Sequence, residues 1–265
     1  MWTGKNGRPK ADPAEELAKL LVPPESNDIE AAPWRPPAPD DEAPEVDDDA
    51  PDADHVITTL AVIVLDVSGS VYPYADEVTG GFNGLSRYLR DDSLTAFGVR
   101  LSLVNTWLSV TPFVPAADFV EREFRFGSST PLGRATSRAC EQIEDEMAAS
   151  AAAGRPINKI MMAVITDGIP KNESPAETRK GVEDVKRLRK GRPPLNVITF
   201  KCGPGEPGAF LRAISGSTPV IHASEPETGY REIFKWLASA IRSASESQPG
   251  EVAEAPDLTA GLRFV

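Results

Sequence analysis

Three short segments of the 265-residue chain concentrate small oxygen-bearing side chains. They are Asp66-Val-Ser68-Gly-Ser70, Gly127-Ser-Ser-Thr130-Pro-Leu-Gly133 and Thr166-Asp167-Gly168. The chemistry they suit is the binding of a hard cation. Mg²⁺ takes six oxygens at ~2.0–2.1 Å and usually keeps several waters. Residues 66, 68 and 70 alternate by two, and Gly69 permits a sharp turn, so three short side chains can converge on one point. Ser68, Ser70 and Thr130 offer neutral hydroxyls. Asp66 and Asp167 offer charge, directly or through bound water. A cation with so few direct anions stays electrophilic and can accept a carboxylate from outside.

Other chemistries fit the same residues less well. Asp and Ser favour helix caps and turns, and one such loop alone would be read that way. Three loops that each follow a strand or open a helix argue for a site. Asp66 as a phosphatase nucleophile would want a second Asp two residues on, and that position is Ser68. A serine nucleophile needs a base. His55 precedes the strand and His222 is a lone late histidine, read as a structural or surface residue. Metal-dependent phosphoester hydrolysis stays as the enzymatic alternative.

The elements around these loops decide whether they can meet. Thr58–Leu65 is an almost continuous apolar run, as in a central strand covered on both faces. Val78, Phe82, Leu85 and Leu89 form a helical stripe within 75–91. A strand is expected at 97–106 and a short extended stretch at 113–114. Pro131 opens a helix to 150 with Leu132, Ala135, Ala139, Ile143 and Met147 on one face. A strand at 159–166, a basic amphipathic helix at 176–190, a strand at 195–201, a short helix at 207–215, a strand at 220–221 and a helix at 228–245 follow. Strands alternating with helices predict an α/β fold, with a doubly wound, mostly parallel central sheet flanked by helices. In such sheets ligands bind beyond the carboxyl ends of the strands.

Asp66-x-Ser68-x-Ser70 with Thr130 and Asp167 resembles the metal-ion-dependent adhesion site (MIDAS) of von Willebrand factor A (VWA) domains. The resemblance implies that Ser68, Ser70 and Thr130 touch the metal, most commonly Mg²⁺ with Mn²⁺ as a substitute. It implies that Asp66 and Asp167 act mostly through water or hydrogen bonds, and that a partner's acidic side chain takes the open position. Gly127 to Gly133, Ile165-Thr-Asp167-Gly-x-Pro170 and the ending from Trp236 to Gly250 are similar to the TerY type. These are bacterial VWA proteins of tellurium-resistance and stress loci. That similarity covers roughly residues 58–256. It implies protein binding without catalysis, in stress signalling beside a protein kinase and a PP2C-type phosphatase. A VWA subunit of an AAA+ ATPase or chelatase is the other reading. One departure is Val71-Tyr72-Pro73, where many relatives have Met after the second serine.

Composition limits the rest. Residues 1–57 carry fifteen acids and five bases, and the remainder carries twenty-five and twenty-three. The body is therefore close to neutral, which disfavours nucleic acid and anionic membranes. Gly7-Arg8-Pro9 matches a minor-groove hook by chance. Residues 23–57 hold eight prolines and the acidic run Asp40 to Asp54, and residues 1–57 as a whole read as a disordered, acidic, Pro-rich arm. Ahead of it, Asp12-Pro-Ala-Glu15 with Leu17, Leu20 and Leu21 predicts a short helix at 12–22. The domain is drawn as 58–247 and the tail as 248–265. The acidic arm could itself compete for the metal, or serve only as a solubilising tail. Cys140 and Cys202 form no CxxC pair and read as packed thiols. The basic run Arg179 to Arg192 reads as a solvated helix face, or as a rest for the arm. No apolar run reaches membrane-spanning length and no signal-peptide core is seen. The expected compartment is the cytoplasm.

Overall fold

The computed structural model describes residues 58–90, 94, 98–247, 256–258 and 261–265. The expected arm at 1–57 and its helix at 12–22 lie outside them. Seven strands form one sheet in the order β3-β2-β1-β4-β5-β6-β7. They are β1 (Thr58–Leu65), β2 (Val99–Asn105), β3 (Val114–Pro115), β4 (Ile157–Thr166), β5 (Leu195–Cys202), β6 (Ile221–Ala223) and β7 (Leu262–Phe264). β2, β1, β4, β5 and β6 run parallel, and only the edge strands β3 and β7 are antiparallel to their neighbours.

Five helices cover the two faces: α1 (Ala75–Leu89), α2 (Leu132–Ala152), α3 (Pro175–Arg189), α4 (Ala209–Ser215) and α5 (Pro226–Glu246). The side-chain alternation of β1 explains the layering. Ala61, Ile63 and Leu65 face the core under α1 and α5, while Leu60, Val62 and Val64 face the core under α2, α3 and α4. Phe82 of α1 anchors the first core. Its ring lies 5.5 Å from Phe119, 5.1 Å from Phe124 and 6.1 Å from Phe234. Each such buried side chain contributes about 1.5–3 kcal/mol against exposure.

The expected helical stripes are the buried ones, including Val182, Val185 and Leu188 of α3 and Ile233, Phe234, Leu237 and Ile241 of α5. Both cysteines are buried and unbridged, and burial pushes each thiol up to about 12. The basic face of α3 is partly spoken for by α2. Lys180 reaches Asp184 at 2.8 Å and Glu141 at 3.4 Å, and Arg187 pairs with Glu144. His222 is structural: its Nε2 meets the Gly203 carbonyl at 2.8 Å, and its Nδ1 accepts from Arg263 at 3.2 Å.

The C-terminal boundary of the domain differs from the sequence reading. Residues 248–265 were expected to be a tail, yet Leu262–Phe264 complete the sheet as β7. Val220 and Val265 exchange backbone bonds at 3.1 and 2.9 Å beside it. Three residues carry too little periodicity to announce a strand, and the free edge of β6 supplies the pairing. Among the described residues no helix is long and apolar enough to cross a membrane.

Candidate metal centre

The sheet changes direction at β1. The chain leaves it to one side for β2 and later returns to its other side with β4. Such a switch opens a crevice at the strand ends, and Asp66 and Asp167 each stand one residue beyond a strand bordering it. The ends are locked together. Asp66 N–H donates to the Ile165 carbonyl at 2.9 Å, and Thr106 N–H donates to the Leu65 carbonyl at 3.1 Å.

Asp66 is 1% exposed. Its Oδ1 accepts the Ser68 N–H at 2.9 Å, bending the chain into a local turn, and the Thr106 hydroxyl at 3.4 Å. Its Oδ2 accepts the Thr166 hydroxyl at 2.6 Å. Gly127 N–H donates to the Val67 carbonyl at 2.9 Å, which draws the second segment alongside the first. Gly69 is there for space. A Cβ on it would stand 3.1 Å from the Gly127 carbonyl oxygen. The Ser68 and Ser70 hydroxyls lie 3.1 Å apart, and Ser70 donates to Asp167 Oδ1 at 3.0 Å.

Four of the five expected residues are therefore linked side by side. Thr130 joins them through its backbone, since its carbonyl accepts from Lys171 at 2.9 Å on the loop that follows Asp167. Thr130 is 4% exposed.

Both carboxyls are raised above their usual range. For Asp66 burial is the main cause, opposed by the Thr166 and Ser68 hydrogen bonds and reinforced by the charge of Asp167. For Asp167 burial again leads, opposed by the Ser70 hydroxyl and then by the charge of Lys201. Two poorly hydrated carboxylates linked through the Ser68 and Ser70 hydroxyls make a place that a cation would relieve. The oxygen set fits Mg²⁺. An octahedron with ~2.1 Å bonds spaces neighbouring oxygens ~3 Å apart, which is the spacing of Ser68, Ser70 and Asp167. Among the described residues no three His, Cys, Asp or Glu side chains cluster for a metal, so the hydroxyls are essential to any such site.

Three supporting residues escaped the sequence reading. Thr106 follows β2 as Asp66 follows β1, and that parallel position was the available signal. Lys201 is a buried lysine in a mostly apolar strand. Its Nζ donates to the carbonyls of Cys202, Gly203 and Pro204 at 2.7, 3.3 and 3.2 Å. Glu173 gave no signal. It caps α2 from a distance, accepting the N–H groups of Gly133 and Arg134 at 2.9 and 3.0 Å, where the local residue Pro131 supplies no cap. Glu173→Ala should cost about 1–2 kcal/mol, a typical lost helix cap, and lower the melting temperature by roughly 2–8 °C. Calorimetry checks this, and an unchanged melt would remove Glu173 from the account.

No family model matches the chain, and no curated protein sequence does. Its fold is that of solved VWA-type structures. The pilus adhesin SpaC from Lactobacillus rhamnosus GG, in an open conformation, superposes with a TM-score of 0.56 at 12% identity over 71% of this chain and 30% of that one. The vWF domain of the type V pili tip protein Mfa5 from Porphyromonas gingivalis gives 0.52 at 11% identity over 74% and 98%. Proximal thread matrix protein 1 from the mussel byssus gives 0.50 at 16% identity over 70% and 48%. The match thus spans less than half of SpaC and of the thread protein, but nearly all of the Mfa5 domain. At these identities the likeness is one of fold.

Proposed function

We propose that this chain, built on the VWA fold, holds one divalent cation and uses it to bind a protein partner rather than to catalyse a reaction. Ser68, Ser70 and Thr130 supply hydroxyl oxygens, and Asp66 and Asp167 supply charge. The observation that carries the reading is the convergence of Ser68, Ser70 and Asp167 at 3.0–3.1 Å, the spacing of neighbouring oxygens in an octahedron, beside the buried residue Asp66. Mg²⁺ is the proposed metal because the set is all oxygen and small, with Mn²⁺ as the ready substitute. The cation would supply an electrophilic point for an incoming carboxylate. The chain's own residues orient it and keep part of its charge uncompensated, because most of the ligands are neutral.

Binding is favoured over turnover because the site holds no evident base for Ser68. His222 is already engaged by Gly203 and Arg263. SpaC's designation as an adhesin fits the same use of the fold. We further place the chain in the cytoplasm, in bacterial stress or tellurium-resistance signalling of the TerY type. There a kinase and PP2C-type phosphatase pair are the partners in view, with neither nucleic acid nor membrane as a target. Motif resemblance supports the signalling role and its partners, and the near-neutral charge of residues 58–265 supports the exclusion of nucleic acid and membrane.

Mn²⁺ titration followed by electron paramagnetic resonance tests the metal. One bound ion is expected per chain, displaced by Mg²⁺ and weakened by Thr130→Ala. A free-ion signal unaltered by the protein would overturn the reading.

A further inference from the structure

Seven large hydrophobic side chains are exposed among the described residues, and three stand on loops of the candidate metal centre. Tyr72 is two residues past Ser70, Trp107 directly follows Thr106, and Ile169 is two residues past Asp167. Their exposures are 67%, 55% and 53%. Each leaves one of the strand ends that shape the site: Tyr72 after β1, Trp107 after β2 and Ile169 after β4.

The two aromatic side chains are held in place by structure. The indole of Trp107 packs against Gly127, where a Cβ would come within 2.4 Å of the ring. Gly127 itself is bonded to Val67 in the Asp66 loop. Asn105 Oδ1 accepts the Trp107 N–H at 3.0 Å, and Leu108 takes φ 59, a left-handed conformation that a branched residue seldom adopts. The turn thus spends backbone strain to present an indole to solvent. Tyr72 packs edge-on against Phe126, 6.1 Å between centroids. Lys171, also exposed, adds positive charge on the loop after Asp167.

We propose that Tyr72, Trp107 and Ile169 form an apolar collar around the metal centre. The partner it fits is a protein segment that offers one carboxylate with large apolar side chains on both flanks. The proposal rests on the metal reading above. Aromatic anchors beside a polar contact exclude water from it, and Trp and Tyr are the residues most often found in that role. The collar also disfavours the chain's own acidic run. Between Asp40 and Asp54 the only large apolar residue is Val46.

The probe is a random peptide library displayed on phage, captured by the full chain in millimolar Mg²⁺ and eluted with EDTA. Eluted peptides should carry Asp or Glu with aromatic or aliphatic residues on either side. Trp107→Ala should weaken the best of them by roughly tenfold or more, as for loss of an interface anchor. Ile169→Ser, a change at an exposed loop position, should weaken it as well, and Trp107→Phe should restore part of the affinity. The thermal response of both variants to Mg²⁺ should match the parent's. Three results would overturn the collar alone while the Mg²⁺ response persists: carboxylate peptides without apolar flanks, affinity indifferent to both variants, or no EDTA-eluted peptides. Loss of the Mg²⁺ response in the parent would overturn the metal reading itself.

Discussion

Millimolar Mg²⁺ should raise the melting temperature of the EDTA-treated chain, and Asp66→Asn with Asp167→Asn should abolish the rise. A ligand bound only by the native state stabilises it by mass action, by ~2.7 kcal/mol at a hundred times its Kd. For a domain of this size that is roughly 5–11 °C. The double variant has a second signature. Asp66 and Asp167 are buried carboxyls whose ionised forms are disfavoured chiefly by desolvation. Asn keeps their shape and an acceptor oxygen while removing the charge. In EDTA the variant should therefore melt no lower than the parent. Scanning calorimetry with and without Mg²⁺ separates the outcomes. A full Mg²⁺ shift in the double variant would sink the assignment of these five residues. A large loss of stability in EDTA would show instead that the carboxylates hold the loops together without metal.

Gly181→Ala should destabilise the domain, while Gly84→Ala should stabilise it, although both glycines lie within helices. A Cβ on Gly181 would stand 2.4 Å from the Gly133 carbonyl oxygen and 2.9 Å from Gly133 Cα. Those are backbone atoms of α2, and they cannot swing aside. Overpacking of this kind costs about 1–3 kcal/mol, and contact with backbone puts the change at the upper end. Better helix propensity returns up to ~1 kcal/mol. The net loss is about 2 kcal/mol, or roughly 4–8 °C. Gly84 meets nothing within 4 Å, so there only the propensity gain remains. The contact has a functional side, because Gly133 opens α2 three residues after Thr130. Pushing α3 against it should shift the Thr130 hydroxyl and weaken Mn²⁺ binding. Equal melts for the two alanine variants would remove the close helix crossing from the account.

The layering was legible in the sequence because periodicity reports burial directly. Thr58–Leu65 and the stripes of α1, α2, α3 and α5 name their own faces, since a residue's partner there is simply the core. The candidate site was legible for a related reason. Asp66, Ser68 and Ser70 are close in sequence, and Thr130 and Asp167 stand at element boundaries that hydropathy marks. Strand order was not legible. That β4 lies beside β1, bringing Asp167 to within 3.0 Å of Ser70, depends on a crossover between residues 97 apart.

The sequence by itself determined which residues are apolar, which loops carry oxygen, and that three of the five candidate side chains are neutral hydroxyls. Tertiary structure alone decided what supports them. Glu173 caps a helix it does not belong to, Lys201 places its charge near Asp167, and Leu262–Phe264 find an edge of the sheet 39 to 43 residues from their pairing partners. These facts concern distance between segments remote in sequence. Local pattern carries no information about such distances, because they are set by which elements pack together and in which direction the chain crosses the sheet.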